Sequence, residues 1–349
     1  MDNKRFLWGI VGVGVLLTLA QCSQPLPETE SSRAAESSKA IRIAGAGNSY
    51  AGFSRVAVLL LSNLKPLYPD RDMWMDYHNI SRAFRDGILL VGDGKAEVVF
   101  VNTPHLAAMA VAGRGLFDRP VPLRGIGVYP SEDWTVLAVD PKLGIRSFAD
   151  LREKRYPLKI ATGYTDGDNV LPVLLKELLE RHGIPVEEFE RWGGQIIGSG
   201  PSGAARQAYV EGKADAVFHE SGYDDRWLGY MKQRPMTFVG AEPQVVQQME
   251  KEFGWPSVTV PANYYPGQTK PFQMLDFGSW MICVRQDIED DLAYRIAQIF
   301  IEKVQEVDPA KGGFGGNPQK FDPVTAIQVP IPLHPGAMRY YREKGLLQN

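Results

Sequence analysis

The sequence predicts an α/β protein made of two similar lobes that enclose a central cleft. First, IRIAGAGNSYAGFSRVAVLLL at 41–61 has the pattern of a strand, a glycine-rich turn and an amphipathic helix. Second, AEVVFV at 96–101 is a continuous apolar run, typical of a buried parallel strand, and a helical segment follows it. Third, the plan recurs at 160–168, where IATGYTDGD leads from a strand through a polar loop into another helix.

The order of these elements predicts the domain boundaries. The apolar segment FGSWMICVR at 277–285 is expected to return as a strand to the first lobe. We therefore expect lobe 1 to consist of residues 41–136 and 276–349, and lobe 2 of residues 137–275. Strand ends and helix N-termini of two facing lobes would line the cleft between them.

Length and composition limit the class of protein. A chain of 349 residues is long enough for two domains with sizeable cores. Its hydrophobic content of 44% and charged content of 23% are those of a soluble globular protein. A formal net charge of -3, without a long basic run, argues against nucleic acid as a partner.

The first 40 residues differ from the rest of the chain. Residues 1–22 begin with Lys4 and Arg5, and an apolar stretch at 6–20 follows. This stretch is shorter than the roughly 20 residues that span a bilayer, so we predict a signal peptide for export. Residues 23–40 are small and polar without apolar periodicity, which predicts a flexible tether.

The end of the signal peptide resembles the lipobox of bacterial lipoproteins, in which a cysteine carries the lipid. Leu19 and Ala20 fit this pattern before Cys22, whereas Gln21 departs from the small residue expected there. Lipidation of Cys22 and export without lipid therefore both remain open, and either predicts a periplasmic or other extracytoplasmic protein. Cys283 then has no disulfide partner and is expected to be a small buried hydrophobe.

The glycine-rich turn after the first strand could hold an anion at a helix N-terminus. A dinucleotide fingerprint requires a third glycine where this chain has Tyr50, and no phosphate-binding loop of the G-x-x-x-x-G-K-[ST] type follows. Nucleotide binding is therefore not expected at this turn. Asn102 and Thr103, directly after the strand at 96–101, are candidate site residues by their position alone.

Four segments resemble one known family: IRIAGAGNSYAGF, SFADLREKRYPLKIATG, YVEGKADAVF and LHPGAMRYYREKGLL. In their order and spacing across residues 41–347, the chain resembles the TAXI-type solute-binding receptors of tripartite ATP-independent periplasmic (TRAP) transporters. The resemblance implies a periplasmic-binding-protein architecture, in which two α/β lobes joined by hinge strands close over a small organic acid or amino acid. It also implies delivery to an integral membrane permease driven by an ion gradient, with no catalysis, ATP or other cofactor.

The predicted ligand-binding residues lie in the loops that follow the strands of both lobes. Those of lobe 1 are Gly47, Asn48, Ser49, Tyr50, Asn102 and Thr103. Those of lobe 2, with one on the strand that returns from it, are Thr162, Tyr164, Thr165, Asp166, Glu220 and Ser279.

Lobe 2 departs from the family pattern, because TGYTDGDN carries two aspartates and a tyrosine where small neutral donors are expected. Glu220, Asp224 and Asp225 add carboxylates near the predicted cleft. An acidic rim would oppose a dicarboxylate unless a cation offsets it, and it would suit an amino group or a metal bound by oxygen ligands. Because the carboxylates could equally cap helices and face water, the ligand and any metal stay open.

A ligand-sensing periplasmic module that passes its bound state to a signalling partner is the alternative function, since its tether and fold would look the same. A periplasmic enzyme is not expected, because the chain has no G-x-S-x-G nucleophile motif and its five histidines lack metal-binding spacing. The expected partners are thus a small-molecule ligand and the membrane subunits of a permease.

Overall fold

The computed structural model describes residues 40–45, 52–76, 84–221, 225–307, 317–318 and 320–348. The strands within these ranges are β1 (Ala40–Ala44), β2 (Asp72–Met75), β3 (Val98–Val101), β4 (Leu123–Tyr129), β5 (Ser131–Glu132), β6 (Thr135–Val139), β7 (Lys159–Thr162), β8 (Gln195–Gly198), β9 (Ala216–Glu220), β10 (Thr237–Val239), β11 (Ser257–Val260), β12 (Phe272–Leu275), β13 (Trp280–Arg285) and β14 (Asn317–Pro318). The α-helices are α1 (Gly52–Leu64), α2 (Arg85–Gly92), α3 (Pro104–Ala112), α4 (Phe148–Lys154), α5 (Leu171–Arg181), α6 (Val186–Arg191), α7 (Ser202–Val210), α8 (Asp225–Gln233), α9 (Pro243–Gln248), α10 (Asp290–Lys303), α11 (Pro323–Ala326) and α12 (Pro335–Glu343).

The first sheet has the strand order β2-β1-β3-β13-β4, and we call the part of the chain around it lobe 1. β1 pairs in parallel with β2 and β3, whereas β13 runs antiparallel to β3 and β4. All four residues of β3 are buried, which explains its continuous apolar sequence. Cys283 lies opposite Val99 and is fully buried, as predicted, and burial raises the pKa of its thiol.

The second sheet has the order β8-β7-β9-β6-β10, and we call the part of the chain around it lobe 2. β7 is parallel to β8 and β9, while β6 is antiparallel to β9 and β10. Strand order and strand direction are therefore the same in both lobes. In each sheet the fourth strand, β13 or β6, runs antiparallel to both its neighbours. Each of these strands begins directly after the chain has passed from one lobe to the other.

The chain passes between the two sheets at residues 130–134 and again at 276–279, between β4 and β6 and between β12 and β13. β6 follows the first crossing and pairs with β9, and β13 follows the second crossing and pairs with β3. The carboxyl ends of β3 and β9, where parallel α/β sheets place ligands, therefore lie next to the crossings.

The helices cover the sheets with their apolar faces. In α1, Val56, Ala57, Leu60 and Leu64 are fully buried at helical spacing. The C-terminal helix α12 packs against α10, and the Tyr341 hydroxyl donates to the carbonyl oxygen of Ile126 at 2.6 Å. The end of the chain is thereby attached to lobe 1.

One buried apolar cluster continues from lobe 1 into lobe 2 beside the crossings. It includes Val99 of β3, Ile160 of β7, and Trp255 and Phe277, whose ring centroids are 6.2 Å apart. Apolar packing therefore supports the region where the lobes join. Within the ranges given above, none of the helices combines the length and the apolar character that crossing a membrane requires.

Candidate functional site

The two crossing segments are hydrogen-bonded to each other and form a hinge region. The Ser279 N–H donates to the carbonyl oxygen of Ser131 at 2.9 Å, and the Phe277 N–H donates to that of Asp133 at 3.0 Å. At Gly278, a Cβ would lie only 2.5 Å from the carbonyl oxygen of Ser131. This close approach of two backbones requires glycine. The predicted ligand residue Ser279 belongs to this hinge and has a φ of 64°.

Three carboxyl groups of the crossing segments, those of Glu132, Asp133 and Asp276, line a cavity of about 240 Å³. Asp133 is 4% exposed, and burial together with the nearby carboxylates of Glu220 and Asp276 holds its pKa well above the ordinary value. A protonated Asp133 is a hydrogen-bond donor, whereas an ionised one could only accept. Asp276 lies 2.9 Å from Nε2 of His105 and so links the hinge to α3 of lobe 1.

Glu220 ends β9 directly opposite Thr135 of β6. Burial raises the pKa of Glu220, but the adjacent His219 and the more distant Arg206 lower it, and the net result is a pKa below the ordinary value. The pKa of the predicted ligand residue Glu220 and that of the nearby Asp133 are therefore shifted in opposite directions. We call these two carboxyl groups and that of Asp276 the base of the cleft.

The loop after β7 divides into a buried start, an exposed tip and a buried end. Thr162 is fully buried, and its hydroxyl has no hydrogen-bond partner among the described residues. Tyr164 and Thr165 are exposed. Thr165 lies against Gly198 at the end of β8, and Tyr164 lies against Gly200 just after it. Asp166 is also exposed, and its carboxylate accepts the Asp168 N–H at 3.0 Å. Of the four predicted residues in this loop, Thr162 has the buried, unsatisfied group.

A contact between the lobes involves residues that were not predicted as partners. The Asp168 carboxylate, 5% exposed, accepts a short hydrogen bond from the backbone N–H of Asp86 in the first turn of α2. The Arg85 N–H points at the carbonyl oxygen of Asp168, 3.5 Å away. Because the side chain of Phe84 cannot cap α2, Asp168 of lobe 2 caps a helix of lobe 1.

The environment of Asp168 disfavours its charge. Burial raises the pKa of Asp168 to about 7; the Asp86 N–H opposes this rise, and the carboxylates of Asp86 and Asp166 add to it. These residues, with Arg85 and Gly167, line a cavity of about 420 Å³. The doublet of aspartates in TGYTDGDN was the sequence signal for this site, but nothing in it identified α2 as the partner.

Of the two predicted residues that follow β3, Thr103 forms its side-chain hydrogen bond within lobe 1. Thr103 is fully buried, and its hydroxyl accepts the His105 N–H at 3.3 Å, which caps α3. Asn102 is half-buried and makes no side-chain hydrogen bond to the described residues. Of this predicted pair, Asn102 thus keeps its amide available.

Five predicted residues lie outside the described residues: Gly47, Asn48, Ser49, Tyr50 and Cys22. Asp224 lies outside them as well, and Asp225 begins α8. Among the residues that the structure describes, no three or more His, Cys, Asp or Glu side chains are grouped so that they could hold a metal ion.

The chain is similar to solved structures at low sequence identity. XAC2383 from Xanthomonas citri, bound to chloride ion, has 12% identity and a TM-score of 0.50, covering 88% of this chain and 97% of its own. PhnD1 from Prochlorococcus marinus, in complex with methylphosphonate, has 12% identity and a TM-score of 0.48, covering 88% and 99%. The periplasmic aliphatic sulphonate binding protein SsuA from Escherichia coli has 14% identity and a TM-score of 0.38, covering 77% and 72%.

The likeness to XAC2383 concerns the fold alone, and with the two sheets described above it confirms the predicted two-lobed α/β architecture of periplasmic binding proteins. A family model gives the more specific result. The model of the NMT1-like family matches residues 81–345, about three quarters of the sequence. This match covers lobe 2, both crossings and the part of lobe 1 that follows β2, and the chain therefore belongs to the NMT1-like family.

Proposed function

We propose that this protein is an extracytoplasmic solute-binding receptor that captures a small polar solute between its lobes and delivers it to a membrane permease. The observation that carries this proposal is that two sheets of the same strand order and direction are joined by two crossing segments, which are hydrogen-bonded to each other. Such a connection confines bending to two short segments while each lobe moves as a body. Membership in the NMT1-like family and the fold shared with XAC2383 support the same function.

The proposed ligand site is the part of the cleft where strand ends of both lobes carry polar groups without a local role. Asn102 and Thr162 offer an amide and a buried hydroxyl for which the described residues provide no partner. Thr103 is assigned to helix capping, and Tyr164, Thr165 and Asp166 to the rim. The predicted loop Gly47–Tyr50 would complete the site from lobe 1.

The carboxyl groups at the base of the cleft favour an amino acid over a dicarboxylate. The lowered pKa of Glu220 favours its charged form, and Glu220 and Asp276 both act on Asp133, so a second carboxylate brought by a ligand would meet like charge. An ammonium group would gain from the same surroundings, while Asp133, whose pKa is raised, could donate to a ligand carboxylate when it is protonated. We therefore propose a small amino acid as the ligand class.

The transport partner is proposed on the resemblance to TAXI-type receptors, which implies a TRAP permease driven by an ion gradient. The leader at 1–22 supports export, and Cys22 is the proposed point of lipid attachment. Uptake into vesicles that contain the candidate permease would test this step, because it should require both the receptor and an imposed ion gradient.

The binding function is tested by a thermal-shift screen of the mature chain against amino acids, dicarboxylates and aromatic acids, followed by calorimetry on each hit. A true ligand raises the melting temperature once its concentration exceeds the dissociation constant. We expect Asn102→Ala to weaken the best hit about tenfold, which corresponds to loss of one or two hydrogen bonds.

Gln195→Ala, a change of similar size on the exposed strand β8, serves as the control and should leave the affinity unchanged. A panel without any hit, together with the absence of a co-purifying small molecule in native mass spectrometry, would contradict a receptor function. Conversion of a hit into another compound would instead indicate an enzyme.

A further inference from the structure

We propose that Asp168 is a proton-controlled latch between the lobes: the closed cleft takes up one proton at this carboxyl group, and loss of the proton favours opening. The inference concerns the regulation of the proposed binding cleft and rests on the proposed function, since it requires that the lobes separate. Its starting point is geometric. A buried side chain of lobe 2 caps α2 of lobe 1, and this contact exists only while the lobes touch.

The surroundings of the second oxygen of the Asp168 carboxyl group favour its protonated form. Oδ2 is sealed from solvent and has no hydrogen-bond partner among the described residues, although Oδ1 accepts the Asp86 N–H. A fully ionised carboxylate in this position would leave a charged oxygen buried and unsatisfied, which is costly. A proton on Oδ2 removes the charge without requiring space for a ligand.

The charged groups around Asp168 do not neutralise it. Asp86 on α2 and Asp166 in its own loop are both carboxylates. Among the described residues, Arg85 is the cation lining the same cavity, but its Nε donates to the carbonyl oxygen of Leu116 at 2.9 Å and its Nη1 is 4.0 Å from the Asp86 carboxylate. The charged groups that the structure describes around Asp168 therefore favour the protonated acid.

Thermodynamic linkage gives the direction of the effect. In the closed cleft the pKa of Asp168 is raised to about 7, whereas in open lobes the side chain would be hydrated and would titrate near its ordinary value of 3.8. The closed form thus binds the proton more tightly, so closure is favoured at low pH and is weakened as pH rises through about 7. The closing equilibrium constant should fall about tenfold between about pH 6 and about pH 8.

The test is small-angle X-ray scattering on the unliganded mature chain across this pH interval. We expect the radius of gyration of the wild type to increase from about pH 6 to about pH 8 as the cleft opens. Asp168→Asn keeps an oxygen for the Asp86 N–H but cannot ionise, and its radius of gyration should stay at the low-pH value.

Asp118→Asn, the same substitution at an exposed position of lobe 1, serves as the control and should behave as the wild type. Any other group that titrates acts equally in both variants, so the difference between the two variants decides the question. If Asp168→Asn does not fold, Asp168→Glu is used instead; it keeps a titrating carboxyl group at this position and should retain the pH dependence. The latch is excluded if the wild-type radius does not change with pH, or if Asp168→Asn changes as much as Asp118→Asn.

This measurement uses no ligand, so its outcome is separate from that of the thermal-shift screen. A screen without hits would overturn the proposed receptor function and would leave the scattering comparison standing. If a ligand is found, its dissociation constant should rise about tenfold over the same pH interval in the wild type and stay constant in Asp168→Asn.

Discussion

The two lobes have the same strand order and direction, but they use the polar groups at their strand ends differently. In lobe 1 the group after β3 serves its own lobe, because Thr103 caps α3. In lobe 2 the loop after β7 serves the opposite lobe, because Asp168 caps α2 across the cleft. Thr162, at the end of the same β7, leaves its buried hydroxyl without a partner among the described residues.

This difference shows that strand ends in two lobes of the same architecture can take different roles, here at β3, the third strand of its sheet, and at β7, the second strand of the other. A strand end whose side chains cap the following helix contributes to the stability of its lobe in every state of the cleft. A strand end whose side chains reach the other lobe contributes only when the cleft is closed, and it therefore biases the equilibrium between open and closed forms. Lobe 2 holds the groups that respond to closure.

The largest expected effect comes from the hinge, which both lobes share. Gly278→Ala places a methyl group 2.5 Å from the carbonyl oxygen of Ser131, so the crossing segments must separate. We expect a loss of about 2–3 kcal/mol in the free energy of unfolding, as for other overpacked positions, measured by chemical denaturation. Hydrogen bonds between the crossings would be weakened along with the packing of both lobes.

The control for this variant is Gly229→Ala, because glycine 229 lies in α8 and a Cβ there would have no atom within 4 Å. Alanine favours the helix by roughly 1 kcal/mol, so this variant should be slightly more stable than the wild type. Equal stability of Gly278→Ala and the wild type would mean that the crossings are not held by the contacts described above.

A matched pair of substitutions compares the lobes directly. Thr103→Val removes the cap of α3 and should cost about 1 kcal/mol of unfolding free energy while leaving ligand affinity unchanged. Thr162→Val removes a buried hydroxyl that has no partner in the described residues, so stability without ligand should stay level or rise by about 1 kcal/mol. Its ligand affinity should nevertheless fall about tenfold if that hydroxyl binds the ligand.

Thermal melts with and without the best ligand separate these two quantities for each variant. The comparison between lobes would be contradicted by the reverse result, in which Thr103→Val weakens ligand binding and Thr162→Val destabilises the unliganded protein.

Much of the fold could be predicted because it depends on local patterns. The continuous apolar run of β3 and the return strand that contains Cys283 were visible in the sequence, since burial on both faces dictates their composition. The capping of α2 by Asp168 could not be predicted, because its two partners are 82 residues apart and belong to different lobes. The raised pKa of Asp133 depends first on its burial, which no spacing in the sequence reveals.

The smallest expected effect compares the two carboxylates that surround the latch, one from each lobe. Asp86 of lobe 1 and Asp166 of lobe 2 both raise the pKa of Asp168, and the contribution of Asp86 is the larger. Asp86→Asn and Asp166→Asn should each move the pH midpoint of closure downwards, because removing a like charge favours the ionised form of Asp168. The shift should be larger for Asp86→Asn, while the free energy of unfolding changes by less than about 0.5 kcal/mol in both variants, as is usual for surface positions.

The midpoint is measured from the radius of gyration as a function of pH. A midpoint that moves upwards in either variant would show that another group controls closure, whereas the predicted order would show that lobe 1, through Asp86, sets the pH at which lobe 2 releases it.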